Sequence, residues 1–92
     1  MKPMGAIPAD YRALDGELAI GGRTASALVA EAGDTPLFVY DRAIMADRVA
    51  KLRAALPAEV AIHYAMKANP HAQVVATFAA LVDGIDVASA GE

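Results

Sequence analysis

Val60-Ala-Ile-His-Tyr-Ala-Met-Lys67-Ala-Asn69-Pro70 is the stretch that decides the predicted fold. Its first half is apolar and prone to form a strand, whereas Asn69 and Pro70 favour a turn that cannot continue one. Lys67 is therefore predicted at the carboxyl end of a buried strand, residues 60–65, just before the chain turns into a helix. Active sites of α/β barrels and open α/β sheets form at that end.

A lysine at such a position is costly unless it has a partner or a task. Alternation along the strand places Lys67 in phase with His63 and with the small residues Ala61 and Ala65, which leave room on that face. An amine in a partly dry pocket is a nucleophile toward aldehydes, either a substrate carbonyl or pyridoxal phosphate. The plainer alternative is that the lysine reaches solvent and pairs with Asp86.

The segment before this stretch predicts a strand and a helix. Residues 35–40, Thr-Pro-Leu-Phe-Val-Tyr, form a strand candidate with its proline at the start. Asp41 follows as a helix N-cap. Residues 42–56 carry one apolar stripe and end at Pro57, which predicts an amphipathic helix.

The segment after it predicts a second helix and a third strand. Asn69 can cap a helix that has Pro70 at its first position and continues through residues 72–82. Gly84 then serves as a left-handed cap, and residues 85–88 form a short strand. Strand, helix and strand with short connections predict a βαβ unit with parallel strands.

Parallel pairing would bring Asp86, a lone carboxylate between apolar residues, into the same region as Lys67. The other polar residues of the region receive structural interpretations. His63 is predicted to be a packed or hydrogen-bonded histidine, His71 to lie in the first helical turn near the rim of the site, and Tyr64 to be core on the face opposite Lys67.

The first third of the chain is less informative. Residues 1–14 are predicted to be a loosely ordered leader. Residues 18–20 form a weak strand before the turn at Gly21-Gly22, and residues 24–32 form a short helix that Gly33 ends.

Composition excludes several classes of function. The 92 residues are 57% hydrophobic, carry a formal net charge of −3 and contain no cysteine, so disulfides and thiolate metal sites are excluded. The absence of a basic cluster argues against nucleic acid as a partner. No apolar run reaches the length of about 18 residues that a membrane helix needs. These features predict a soluble cytoplasmic protein without a membrane partner.

The chain end carries a helix start. Ser89 and Glu92 have the spacing of a capping box, and a helix that begins in the last residues predicts that the chain is a fragment of a longer protein.

Three segments together resemble a known family. Tyr64-Ala-Met-Lys67-Ala-Asn69 resembles the pyridoxal-phosphate lysine motif of the type III decarboxylases of alanine racemase-like fold, the ornithine/diaminopimelate/arginine decarboxylase group. Thr35-Pro-Leu-Phe-Val-Tyr-Asp41 resembles the segment that opens their barrel, and Gly84-Ile-Asp86-Val-Ala-Ser-Ala-Gly-Glu92 resembles their second barrel strand and its exit. The diaminopimelate decarboxylase-like branch is most similar, including decarboxylases encoded with bacterial exosortase systems.

The resemblance implies a fold class and a division into domains. The fold would be α/β, the N-terminal part of a pyridoxal-phosphate-binding (β/α)8 TIM barrel. Residues 1–34 would be a leader and a contribution to a separate β domain, and residues 35–92 the first βα units of the truncated barrel.

The resemblance also implies a function. Lys67 would form the internal aldimine with pyridoxal 5'-phosphate, Asp86 would be the acidic residue beside it, and Glu92 a further acidic residue near the site. The substrate would be an amino acid and the full-length protein a homodimer. The family's phosphate- and substrate-binding residues come later in sequence, so we expect residues 1–92 alone to fold poorly and to be inactive.

Two alternatives remain. An alanine racemase-type enzyme would share the fold and the lysine, although Pro70-His71 departs from the run usual there. A non-catalytic homologue that binds other subunits would be a different class of protein, and retention of Lys67 argues weakly against it.

Overall fold

The computed structural model describes residues 8–91. Within them the architecture is mixed α/β, with three α-helices and two sheets. The chain divides into two compact units, Met1–Asp41 and Arg42–Glu92. The predicted division into a β domain and a barrel, with its boundary at residues 34 and 35, stays a prediction.

The first unit is built on a three-stranded antiparallel sheet in the order β1-β2-β3. Its strands are β1 (Arg12–Leu14), β2 (Glu17–Ile20) and β3 (Arg23–Thr24). Two-residue turns join them, and both turns use positive φ, at Asp15 and Gly16 and again at Gly21 and Gly22. Such turns match the twist of a hairpin, so short segments can pair without longer loops.

Side chains fix the start of helix α1 (Ala25–Ala32). The Thr24 hydroxyl accepts a hydrogen bond from the amide of Ala27 at 3.2 Å. The Glu17 carboxylate, from β2, accepts one from the hydroxyl and one from the amide of Ser26, and these bonds hold the pKa of Glu17 below its ordinary value. Amides that have no partner inside the helix are thus satisfied, one of them from the sheet.

Two predictions for this unit are wrong. Residues 35–40 form no strand, because an extended segment becomes a strand only through hydrogen bonds to a neighbour, and the described residues supply none. Phe38 is 83% exposed there. The predicted loose leader contains β1, which the Asp15-Gly16 turn pairs with β2. Residues 1–7 of that leader lie outside the described part of the chain.

The second unit contains the predicted parallel pair. Its elements are helix α2 (Arg42–Ala55), strand β4 (His63–Ala65), a 3₁₀ turn (Met66–Ala68), helix α3 (Ala72–Ala79) and strand β5 (Gly84–Asp86). β4 and β5 pair in parallel, with His63 opposite Gly84 and Ala65 opposite Asp86. The predicted strand–helix–strand unit with parallel strands is confirmed, although its strands are shorter than predicted.

The register of this pair is set just before the strands begin. The amide of Asp83 donates to the carbonyl of Ile62 at 2.8 Å, and the amide of Ile62 donates to the carboxylate of Asp83 at 2.8 Å. Arg53, near the end of α2, donates to the same carboxylate at 3.2 Å and to the carbonyl of Leu81 at 2.9 Å. One carboxylate therefore joins α2, the start of β4 and the turn that leads into β5.

The core of the second unit is small. Val49, Ile62 and Val74 are its buried apolar residues. Strand β4 was predicted to be buried, but His63 is exposed and Tyr64 and Ala65 are half-buried. A two-stranded sheet with helices that cover one part of it cannot enclose both faces of a strand.

Acidification should weaken the second unit through Asp83. The hydrogen bonds from Ile62 and then Arg53 hold the pKa of Asp83 below its ordinary value of 3.8. A lowered folded-state pKa gives stabilisation that is complete above the unfolded value and is lost as pH falls through the folded value. Urea unfolding followed by circular dichroism from about pH 6 to about pH 2 should show this loss in the wild type and a smaller one in Asp83→Asn.

Asp47→Asn is the matched control for this experiment, because it removes an exposed carboxylate of the same unit that pairs with Lys51 at 2.9 Å. It should retain the wild-type loss of stability on acidification. Equal pH dependence in the wild type and in Asp83→Asn would show that the carboxylate of Asp83 does not fix the register.

Candidate functional site

Lys67 lies in the 3₁₀ turn that directly follows β4. The turn is at the carboxyl end of the parallel pair, as the sequence predicts for this residue. Lys67 is exposed, however, so the described residues do not form the partly dry pocket that was expected around its amine. The chain therefore presents a solvent-exposed lysine at the carboxyl end of the parallel pair.

Asp86 is the last residue of β5 and lies opposite Ala65 in the register. It is thus at the same edge of the sheet as Lys67, as predicted. Its carboxylate contacts His63, with Nδ1 and Oδ1 2.9 Å apart, and within residues 8–91 no ion pair joins it to Lys67. The plainer alternative is confirmed in its first half, because Lys67 is exposed to solvent, whereas its second half is wrong, because Asp86 contacts His63 and not the lysine.

Gly84 is explained by the ring of His63. A Cβ atom at this position would lie 2.8 Å from Cε1 of His63, closer than such atoms approach, and 3.0 Å from Nδ1, so the ring would have to shift. The predicted left-handed cap is wrong, because Gly84 is the first residue of β5 and is not among the residues with positive φ. The glycine is needed for the close approach of the ring.

Tyr64 connects the turn that carries Lys67 to helix α3. Its hydroxyl donates to the carbonyl of Asn69 at 2.8 Å, and its ring stacks on Phe78 with centroids 4.4 Å apart and an interplanar angle of 20°. Tyr64 was predicted to be core; its ring does pack on Phe78, but the residue is only half-buried, so the prediction of a core residue is wrong. The bond to Asn69 was not predicted, since it joins a strand residue to a carbonyl beyond the turn.

Helix α3 is capped by His71, and the predicted Asn69 cap is wrong. Nδ1 of His71 accepts a hydrogen bond from the amide of Gln73 at 3.2 Å. The side chain of Asn69 accepts one from the amide of His71 at 3.0 Å. Asn69 therefore bonds to the capping residue and not to the helix itself. His71 was predicted inside the first turn and instead precedes it, with its ring used for capping.

Residues 8–91 contain no group of three or more His, Cys, Asp or Glu side chains able to hold a metal ion. The predicted role of Glu92 lies outside the described residues. The candidate site therefore consists of one amine, Lys67, and one hydrogen-bonded pair, His63 and Asp86, at the edge where β4 and β5 end.

Comparisons with protein-family models, with curated proteins and with solved structures gave no match to this chain. Of the helices in the described part, none is both long and apolar enough to cross a membrane.

Replacing Tyr64 by Phe should loosen the turn that carries Lys67. The substitution removes the hydrogen bond to the carbonyl of Asn69 and leaves the stacking on Phe78 in place. We expect a loss of about 1 kcal/mol in the free energy of unfolding and faster amide hydrogen exchange in residues 66–71 than in α2. The control Tyr40→Phe changes an exposed tyrosine of the first unit. If residues 66–71 exchange at the wild-type rate in Tyr64→Phe, the hydrogen bond from Tyr64 to Asn69 does not stabilise the turn.

Proposed function

We propose that this chain carries the cofactor lysine of a pyridoxal-phosphate-dependent amino-acid decarboxylase of the diaminopimelate decarboxylase-like type. The observation that carries the proposal is the position of Lys67, directly after a strand that pairs in parallel with the strand ending at Asp86. Functional groups of α/β enzymes gather at that edge of the sheet. The resemblance of three ordered motifs to the family supports the same assignment.

The residues present fit the proposed cofactor. An aldehyde is held covalently by a primary amine, and Lys67 offers one that is exposed and within the described chain forms no ion pair with Asp86. When bound, pyridoxal phosphate supplies an electron sink for the pair of electrons left when carbon dioxide departs. The residues that would bind its phosphate and the substrate belong, by resemblance, to later parts of the sequence.

The chain's own residues would do three things. Lys67 would hold the cofactor through its Nζ atom, and its amine, when released, would move a proton at the reacting carbon. Asp86 would place a negative charge at the same strand edge, where its carboxylate is held by the contact with His63. Tyr64 would hold the turn of Lys67 in place through Asn69.

The proposed fold is the beginning of a (β/α)8 barrel in a cytoplasmic homodimer that acts on an amino acid. The order of strand β4, helix α3 and parallel strand β5 supports this proposal, because a barrel of this type is built from such strand–helix units. The complete protein that contains this chain, called the parent protein below, would supply the other strands and the second subunit.

The parent protein should release carbon dioxide from one of four amino acids: meso-diaminopimelate, ornithine, arginine or lysine. Incubation with pyridoxal phosphate followed by borohydride should leave a reduced adduct that peptide mapping locates on Lys67. Lys67→Ala should lose the adduct and lower kcat by about a thousandfold or more. Lys51→Ala, a control in helix α2, should keep both.

Other outcomes would favour the alternatives. A parent protein that epimerises alanine and releases no carbon dioxide would be the racemase type. One that forms no adduct on Lys67 and turns over none of these substrates would be a non-catalytic, subunit-binding homologue. Residues 1–92 alone should be inactive, and a folded, active 92-residue chain with a specific Lys67 adduct would contradict the proposal that this chain is only part of the enzyme.

A further inference from the structure

The contact between His63 and Asp86 follows from the register of the parallel pair. Paired residues of adjacent strands project to the same face of a sheet, and alternate residues of one strand share a face. His63 is paired with Gly84, two residues before Asp86, so the imidazole and the carboxylate lie on one face. The ring crosses over Gly84, where there is no Cβ atom, and brings Nδ1 to 2.9 Å from the carboxylate.

The proton in this contact can be assigned from the chemistry of the two groups. An ionised carboxylate has only acceptor sites, so Nδ1 of His63 must be the donor. Neutral His63 is therefore the tautomer protonated at Nδ1. His71 is the opposite case, because its Nδ1 accepts a hydrogen bond from the amide of Gln73. Its neutral ring must carry the proton at Nε2.

We propose that His63 is a positioning residue for the candidate site, which keeps the carboxylate of Asp86 engaged and so leaves the amine of Lys67 unpaired. The inference rests on the proposed function of Lys67 as the group that holds an aldehyde. Only the unprotonated amine attacks an aldehyde, and an ion pair to Asp86 would favour the protonated form. With His63 as donor, the carboxylate stays near the strand edge without closing on the lysine.

The position of Gly84 makes the inference testable without changing a titratable group. A Cβ at residue 84 would meet three atoms of the His63 ring, at 2.8, 3.0 and 3.1 Å. Gly84→Ala should therefore displace the ring and break its contact with Asp86 while it leaves both functional side chains in the protein. Its effect should resemble that of His63→Leu, and the two effects should not add.

The first experiment determines which ring nitrogen of each histidine carries the proton. Long-range ¹H–¹⁵N NMR of the histidine-labelled parent protein distinguishes the two tautomers of His63 and of His71. Neutral His63 should be protonated at Nδ1 and neutral His71 at Nε2. Asp86→Ala should move His63 toward the Nε2 form and leave His71 unchanged. A wild-type His63 protonated at Nε2 would overturn the contact and the inference.

The second experiment measures how fast the amine of Lys67 is acetylated. Competitive acetylation of the parent protein by acetic anhydride, with Lys51 as internal reference, measures how much of Lys67 is unprotonated. His63→Leu and Gly84→Ala should slow labelling of Lys67 by about two- to fivefold, the size expected of an exposed ion pair. His63→Asn, whose amide nitrogen takes the place of Nδ1, should restore the wild-type rate. The double variant His63→Leu/Asp86→Ala should restore it as well.

These outcomes separate the inference from the proposed function. A folded His63→Leu that labels like the wild type, in a parent protein that binds pyridoxal phosphate at Lys67, would overturn the role of His63 and leave the function intact. The expected labelling pattern without any cofactor adduct on Lys67 would overturn the function, and with it the role that His63 plays there. Circular dichroism of each variant confirms that the comparison is made between folded proteins.

Discussion

The pair of hydrogen bonds between Asp83 and Ile62 is the constraint on which the second unit depends. It joins the residue before β4 to the residue before β5 in both directions, amide to carbonyl and carboxylate to amide. Arg53 adds a charged donor to the same carboxylate. Because side chains alternate along a strand, a slip of one residue would send every side chain of β5 to the other face. The register fixed at Asp83 therefore determines which side chains of β4 and β5 are neighbours at the other end of the strands.

Three features of the candidate site follow from that register. Gly84 lies opposite His63, so the imidazole crosses the neighbouring strand at a residue that has no Cβ atom. Asp86 lies opposite Ala65 and on the same face, within reach of Nδ1 of His63. The turn with Lys67 begins at Met66, the residue directly after β4. The hydrogen bonds between Asp83 and Ile62, at the start of the strands, thus determine which polar side chains are neighbours where the strands end.

The sequence predicts local elements well and contacts between elements poorly. Apolar periodicity and Pro57 are sufficient for α2, and the short apolar runs on either side of α3 are sufficient for the parallel pair. The cap of α3 was assigned to Asn69 because asparagine is the common capping residue, but Asn69 bonds to the amide of His71 and the imidazole takes the cap. Two adjacent residues that can both accept from an amide leave the choice to tertiary geometry.

The contacts that the sequence missed have a common cause. His63 and Asp86 are 23 residues apart, and nothing in the local pattern of either strand states which residues will be opposite each other. The glycine at position 84 was interpreted through its own conformation, whereas it is needed because of a neighbour's ring. Residues 35–40 show the converse error, because their composition suits a strand but a strand also needs a partner.

The exposure of Lys67 is a consequence of how few strands surround it. Among the described residues, β4 has one neighbouring strand, and a sheet of two strands is marginal and covers little. One strand–helix–strand unit can place an amine at the carboxyl end of its strands, but it cannot exclude water from that amine. Val87, which follows β5, is 56% exposed as well. In the barrel proposed above, the loops that follow the other strands would exclude water from the same edge. The contact between His63 and Asp86 would then act in a medium where an unpaired charge costs more and a hydrogen-bonded one is favoured.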